Sequence, residues 1–505
     1  MVGLQLNPIH AIFAIYPAAK NMNANINSLL IPVENQVREL DPKLLLACFA
    51  ARRGFTSVIG SRREMELSID SFPNSVYLSK SMTVRSLLFF EVASQLGHKI
   101  VAWDEEALVH LPPETYYSRR LHPKAIKHVS HLFAWGEDNA ELWRRYPALS
   151  KSTPIHITGN PRGDLLRPEI MHFYQEEVDE LRKRYGDFVL INTNFNHINA
   201  FGPDMNLFKP VKKAGRKPEF GRAARGMSRS YAEGLRDHKQ AVLEDFKRLI
   251  PKLEKAFPEV AVVIRPHPTE NHQIYRQIAE RCERVRVTNE GNVVPWLMAS
   301  RAVIHNGCTT GVEAYVLGVP AISYRPTVNE NYDEGFYQLP NRVSHQCFDF
   351  EELCDTLSRI FAGKIGAADG ANRRTLVERH LAARNGPFAS ERIVEILERI
   401  AAQPGQSNGH RRSRIAGWLE RKGLHLVKRF NSWLPGSHNR PEFQRHRYPG
   451  ISLLEFKAKL AKFQQALGDR TAIEVEQITN AVFRLTPVRN GYEKQLPGPG
   501  RPEDA

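Results

Sequence analysis

The chain has 505 residues, with 70 Lys and Arg against 55 Asp and Glu, a formal net charge of +15. Hydrophobic residues make up 42% and aromatic residues 9%, ordinary globular usage that excludes a disordered or fibrous chain. Five cysteines (Cys48, Cys282, Cys308, Cys347 and Cys354) form no CxxC pair and are odd in number, which argues against a disulfide framework or a zinc site.

The length predicts two domains of common size with an extension. The first third alternates strands and helices. Strands are expected at 28–33, 56–59, 75–78, 99–103, 131–135 and 155–159, with helices at 38–53 and 84–96. After a break around 163–186 the alternation begins again. Strands are expected at 187–192, 260–265, 284–287, 302–305 and 320–324, with helices at 237–257, 275–282, 293–299 and 310–317. Short strands separated by helices imply parallel sheets with crossover helices. The fold class is therefore α/β: two Rossmann-like doubly wound domains facing a cleft, plus a basic helical C-terminal extension. The expected boundaries are 1–162, 163–402 with a basic insertion at 201–236, and 403–505. No run approaches the ~18 apolar residues that span a bilayer, and no secretion signal is evident, so a cytoplasmic protein is expected.

The charge is localised. Residues 209–226 hold seven Lys or Arg against one Glu, and residues 410–435 repeat that balance. Outside these two segments the chain is nearly neutral. Residues 403–412 read as a linker. On a helical wheel Ile415, Trp418, Leu419, Leu426, Phe430, Trp433 and Leu434 share one arc, opposite Arg414, Arg421 and Lys428, with Leu424 misplaced. That is the pattern of an interfacial amphipathic helix; the other reading is a terminal helix packing on its own domain. A last helix at 452–467 precedes an expected disordered tail.

In such sheets ligands lie outside the carboxyl ends of the strands. Arg265-Pro266-His267-Pro268 follows a strand directly, so two prolines hold a histidine rigidly beside an arginine. Arg is a fixed cation and imidazole a hydrogen-bond donor, a pair suited to phosphate. Asn306-Gly307-Cys308-Thr309-Thr310-Gly311 links the strand at 302–305 to a helix carrying Glu313. Free amides at that helix N-terminus suit an anion, Thr309 and Thr310 add donors, and Glu313 suits ribose hydroxyls. Thr309 as N-cap and Glu313 as its capping partner is the purely structural alternative.

The segment HNGCTTGVEAYVLGVPAISY resembles the donor-nucleotide segment of GT-B glycosyltransferases. The RPHP element resembles the HP motif of bacterial sialyltransferases, Kdo transferases and glycerophosphotransferases, where the histidine contacts a cytidine-nucleotide phosphate. With Ile31-Pro32-Val33-Glu34, Arg38-Glu39-Leu40-Asp41, Trp103-Asp104-Glu105-Glu106, Thr158-Gly159-Asn160-Pro161-Arg162 and Ile191-Asn192-Thr193-Asn194-Phe195, the set is similar to the bacterial surface carbohydrate biosynthesis family over about 25–400. The resemblance implies a general base from a D/E-D/E-G motif. Its counterpart is Asp104-Glu105-Glu106-Ala107, with Ala in place of Gly, so the base is open between Asp104, Glu105 and Glu106, and Glu34 is a second candidate. Like charges in that trio are expected to raise the base's pKa, while an acidic turn capping the next helix is the alternative.

The combined expectation is a metal-independent glycosyltransferase using a CMP-activated acidic sugar and a surface polysaccharide or lipid-linked acceptor at the inner face of the plasma membrane. His267 and a carboxylate would be catalytic. Arg265, His267, Asn306, Gly307, Thr309, Thr310, Glu313, Asn192 and Asn194 would hold the donor, with no cofactor beyond that substrate. The alternatives are a nucleotide-sugar epimerase or glycerophosphotransferase of the same fold, or, from another class, a basic nucleic-acid-binding or scaffold protein. Nucleic acid is not an expected partner, because aromatic residues are not interleaved with the basic ones.

Overall fold

A computed structural model describes residues 27–488, apart from 111, 212–216, 334–337, 403–410, 435–436 and 438. Six parallel strands build the first sheet: β1 Ser28–Val33, β2 Thr56–Ser61, β3 Val76–Ser79, β4 Lys99–Ala102, β5 Val129–Ala134 and β6 Ile155–Ile157. Six more build the second: β7 Phe188–Asn192, β8 Ala261–Arg265, β9 Val285–Val287, β10 Ala302–His305, β11 Ala321–Tyr324 and β12 His345–Cys347. Their order, β12-β11-β10-β7-β8-β9, is parallel throughout. β1 and β7 are buried at every residue, as central strands covered by helices on both faces must be. The two Rossmann-like sheets are the GT-B arrangement that the sequence resemblance implied.

The strand order reverses beside β1, which pairs with both β2 and β3, and beside β7, which pairs with both β8 and β10. Those are the switch points where a doubly wound sheet opens a crevice.

Helix Pro161–Asp164 leads into the break at 163–186, which contains helix Gln175–Tyr185. Helix Ala389–Ala402 then returns to the first domain. Buried Asp164 receives the backbone N–H groups of Ala389 and Ser390, each at 2.8 Å, and the Ser390 hydroxyl at 2.7 Å, capping that helix from another segment. Leu397 and Ile400 join Leu44, Leu45 and Phe49 of helix Gln36–Arg52 in one core.

The C-terminal segment is not merely a tail. β13 Ile473–Thr479 and β14 Val482–Pro487 form a hairpin, and β14 adds antiparallel to β2 at the edge of the first sheet. Phe483 is fully buried and stacks on Phe456 of helix Leu453–Ala466, with ring centroids 4.2 Å apart. Ile473-Glu474-Val475-Glu476 and Phe483-Arg484-Leu485 alternate apolar with polar residues, the pattern of half-buried strands, where only a tail was expected from sequence. Residues 489–505 lie outside the described residues.

Helix Arg411–Asn431 docks by its charged side. Arg421 pairs with Asp70 at 3.0 Å and donates to the Leu67 carbonyl at 2.8 Å, and Lys428 pairs with Glu66 at 3.0 Å. Gly417 lets the backbone approach Gln95, whose Cβ would lie 3.0 Å from an added Cβ. The apolar arc therefore faces outward: Leu426 is 66%, Phe430 61% and Trp433 74% exposed. The side chains of Arg414, Ile415 and Leu424 lie outside the described residues.

Helix Pro441–Arg447 straps the two domains together. Arg447 pairs with Glu34 beyond β1, while His446 donates to the Pro268 carbonyl at 2.7 Å and stacks on Phe201 at 4.3 Å.

Truncating Phe483 leaves a cavity between hairpin and helix, so Phe483→Ala should cost about 3–5 kcal/mol. Denaturant unfolding followed by circular dichroism measures it; a change under 1 kcal/mol would show that the hairpin is a dispensable tail.

Candidate functional site

Two cavities meet between the sheets, and Arg38 and His267 line both. The narrower is walled by the ends of β7 and β8, the start of helix Thr309–Val316 and Arg162. The wider, about 660 Å³, opens on the first domain's strand ends and is roofed by the C-terminal helices.

In the narrow cavity four buried polar atoms have no hydrogen-bond partner among the described residues: Arg162 Nη1, Asn192 Nδ2, Thr310 Oγ1 and Glu313 Oε2. Such groups are rare and costly; three donors and one acceptor around one space describe the inverse of a ligand. Arg265 adds a buried cation with no carboxylate in ion-pair range among the described residues. Its guanidinium donates to the carbonyls of Glu290 at 2.6 Å and Gly291 at 3.1 Å and lies 4.8 Å from the Trp296 ring. A buried charge without a counter-ion favours an anionic guest.

His267 is held by its own loop. The Thr269 backbone N–H donates to Nδ1 at 3.3 Å, and the Thr269 hydroxyl lies 2.8 Å from it. An accepting Nδ1 places the proton of the neutral ring on Nε2; that tautomer is inferred from the hydrogen-bond network. Burial, reinforced by Arg38, Arg447 and Arg162, lowers the His267 pKa to about 4, so the neutral ring is the resting form at pH 7. Behind the loop buried Glu270 accepts from the backbone N–H groups of Phe195 at 2.9 Å and His267 at 3.2 Å, from the Thr193 hydroxyl at 3.0 Å and from the Tyr275 hydroxyl at 2.7 Å. Sequence reasoning gave Glu270 no role.

Of the residues predicted to hold a donor, Arg265, His267, Thr309, Thr310, Glu313 and Asn192 line the narrow cavity. Asn306, Gly307 and Asn194 brace the turn instead: the Asn194 N–H donates to Asn306 Oδ1 at 2.9 Å, and Gly307 donates to His305 Nδ1 at 3.0 Å. Gly311 is obligatory, because a Cβ there would run into the His305 ring. Thr309 is the first helical residue rather than the N-cap; Cys308 occupies the cap, and no side chain caps the helix. Glu313 pairs with Arg162 across the domain boundary. Arg162 is a further cavity residue; its place in the Asn-Pro-Arg turn was the only signal for it.

The acidic trio splits. Asp104 is buried against Arg120 and accepts the Tyr116 hydroxyl at 2.8 Å, and Glu105 accepts the Trp103 indole N–H at 2.8 Å. Neither lines the wide cavity, whereas Glu106 and Glu34 do. The expected upward pKa shift is not found in these two. Burial would raise Glu106, but Arg38, at 2.8 Å, and Arg120 outweigh it and hold it well below the carboxylate range. Glu34 is likewise lowered: Arg447, Lys80 and Arg62 outweigh its burial. The trio is not crowded by its own charges because each member has its own donor.

No known family model matches the chain, and no curated protein matches its sequence. Among solved structures, the wall teichoic acid polymerase TagF is similar at 12% identity with a TM-score of 0.46, over 76% of this chain and 90% of that one. The UDP-GlcNAc 2-epimerase of Methanocaldococcus jannaschii is similar at 12% identity and a TM-score of 0.42, over 73% of this chain and 99% of that one. That of Neisseria meningitidis is similar at 14% and 0.44, over 74% and 100%. These are enzymes of the GT-B fold.

Glu39, at the wall of the wide cavity, pairs with Lys43 at 2.7 Å and with Lys80. Burial would raise its pKa, but the two lysines bring it from 4.5 down to about 2. A depressed carboxyl stabilises the fold above the unfolded pKa, and that stability is lost as pH falls through the folded one. Acid unfolding should therefore show a stability loss between about pH 4.5 and 2. Glu39→Gln should flatten that limb and cost about 3–5 kcal/mol at pH 7, because Lys43 is left buried without a counter-ion. An unchanged acid limb in the variant would remove Glu39 from the account.

Proposed function

We propose that this chain is a transferase that takes a sugar from a nucleotide-sugar donor in the narrow cavity and delivers it to an acceptor in the wide one. The four orphaned polar atoms of the narrow cavity, beside unpaired Arg265, carry this reading. Arg162, Asn192 and Thr310 would donate to the nucleotide's oxygens, and Glu313 Oε2 would accept from its hydroxyls. When the bond from anomeric carbon to phosphate oxygen breaks, its electron pair stays on that oxygen. Arg265, the uncapped helix amides and the His267 Nε2–H would stabilise the charge that develops there. The acceptor hydroxyl forms the new bond to carbon, and its proton passes to a carboxylate of the wide cavity. Glu106 is the carboxylate we favour. Arg38 reaches both cavities, so a donor phosphate that draws Arg38 away from Glu106 would make that carboxylate a stronger base when the donor is seated.

The second cavity favours transfer over epimerisation, since an epimerase has no acceptor to house. A CMP-activated acidic sugar is the donor we favour, because RPHP resembles the cytidine-nucleotide histidine motif. Thermal-shift titration with CMP, CDP, UDP, GDP and dTDP tests the donor site. A nucleotide at a hundredfold excess over its Kd adds about 2.7 kcal/mol of stability. His267→Ala should lower kcat about 10²- to 10³-fold, the usual loss of one charge-stabilising donor. A chain that no nucleotide stabilises would refute the reading.

We place the protein at an anionic membrane surface, a position supported by the outward apolar arc of helix Arg411–Asn431. Among the described residues no helix is long and apolar enough to cross a membrane. Basic residues near an anionic leaflet each add about 1 kcal/mol. Replacing Leu426, Phe430 and Trp433 together by Glu should reduce cosedimentation with phosphatidylglycerol vesicles at least tenfold. Retention equal to wild type would refute the placement.

A further inference from the structure

The wide cavity gathers more positive charge than its own carboxylates neutralise. Nine Lys and Arg side chains line it against five Asp and Glu. Four of the carboxylates are already engaged: Glu34 by Lys80 at 3.0 Å and by Arg447, Glu39 by Lys80, Glu66 by Arg62 at 2.6 Å and by Lys428, and Glu106 by Arg38. Three arginines of the wall, Arg63, Arg85 and Arg222, have no ion pair with any described residue, and neither does the fifth carboxylate, Asp204. Arg63 keeps its Nε buried and without a hydrogen-bond partner among the described residues, and Arg222 makes a weak contact, 3.8 Å to the Met205 sulfur.

These three arginines come from separate parts of the chain. Arg63 follows β2, Arg85 opens helix Val84–Gln95, and Arg222 belongs to the basic 209–226 segment of the second domain. The other basic segment reaches the same wall through Lys428, beside Asn431 and Leu434. The two charge-rich stretches thus converge on one cavity. Arg85 and Arg222 stand exposed at the cavity wall, and partial desolvation together with the like-charged neighbours Arg222, Arg447 and Arg62 lowers the pKa of Arg85, against an opposing Glu34. Arg85 and Arg222 repel one another with no counter-ion of their own among the described residues, and an anion placed between them would stabilise both. Arginine's planar fork suits a phosphate's paired oxygens.

We propose that Arg63, Arg85 and Arg222 form a binding site for a phosphate ester carried by the acceptor. The word acceptor rests on the transfer reading above; the phosphate site itself does not. The phosphate would belong either to a lipid, whose tail would leave past Leu434 toward the outward apolar arc, or to a water-soluble glycan.

Calorimetric titration of the full chain with glycerol 3-phosphate, with dihexanoyl phosphatidate and with uncharged dihexanoylglycerol tests this. The phosphate-bearing probes should bind, dihexanoylglycerol should not, and the triple variant Arg63→Gln, Arg85→Gln, Arg222→Gln should weaken phosphate binding at least tenfold. Its nucleotide thermal shift and melting temperature should stay those of wild type. A preference of tenfold or more for the phosphatidate assigns the phosphate to a lipid; equal affinity assigns it to a soluble acceptor, and both uphold the site. Absence of phosphate binding, binding that the triple variant leaves intact, or dihexanoylglycerol binding as tightly as the phosphatidate would overturn it. Failure of the nucleotide shift in wild type would sink the donor reading separately.

Discussion

A parallel sheet brings all its strands to an end on one edge, and the groups placed there have no ladder partner. Two such sheets facing each other put both edges into one cleft, where every polar group must find a side chain, water or a ligand. The first domain answers with ion pairs: Glu34, Glu39 and Glu106 are each met by arginine or lysine. The second domain leaves its groups partly unanswered, at Asn192, Thr310 and Arg265. One edge is thus neutralised internally and the other is prepared for a guest, and His267 stands where they meet.

The contrast extends to acid–base character. Carboxylates held ionised by close cations accept hydrogen bonds well but are weak bases, and a histidine kept neutral by burial donates a hydrogen bond without delivering a proton. In the proposed transfer such a cleft would act chiefly through preorganised dipoles and charges. Glu270 contributes by fixing the His267 backbone rather than by facing the cleft.

Most strands were legible from sequence because buried parallel strands read as short apolar runs, and β1, β7, β8 and β10 do. Arg265, His267 and Thr310 were legible because each lies at or just beyond such a run. The Arg162–Glu313 pair was not, since its members stand 151 residues apart and neither is unusual where it sits. The trio at 104–106 was located but not oriented: which of three successive carboxylates faces a cleft depends on Trp103, Tyr116, Arg120 and Arg38, which a local reading cannot weigh. Helix Arg411–Asn431 taught the same lesson. Periodicity separated its two faces, but the docking face was decided by Asp70 and Glu66, far away in sequence. The two readings, an interfacial helix and a helix packing on its own domain, are compatible in the fold, which brings part of its charge, with part of the 209–226 segment, onto the cleft wall.

The hairpin on the edge of the first sheet has a consequence for how the molecule is made. Thr479 donates to Glu64, 415 residues away, and β14 covers the edge of β2. A ribosome adding ~5–20 residues per second needs about 20–80 s to cover that interval. Throughout that time the open edge of β2 is a template for unwanted pairing with another chain. The N-terminal domain, though first to emerge, is among the last to be finished, and a nascent chain of this kind is one that a holding chaperone would have reason to meet.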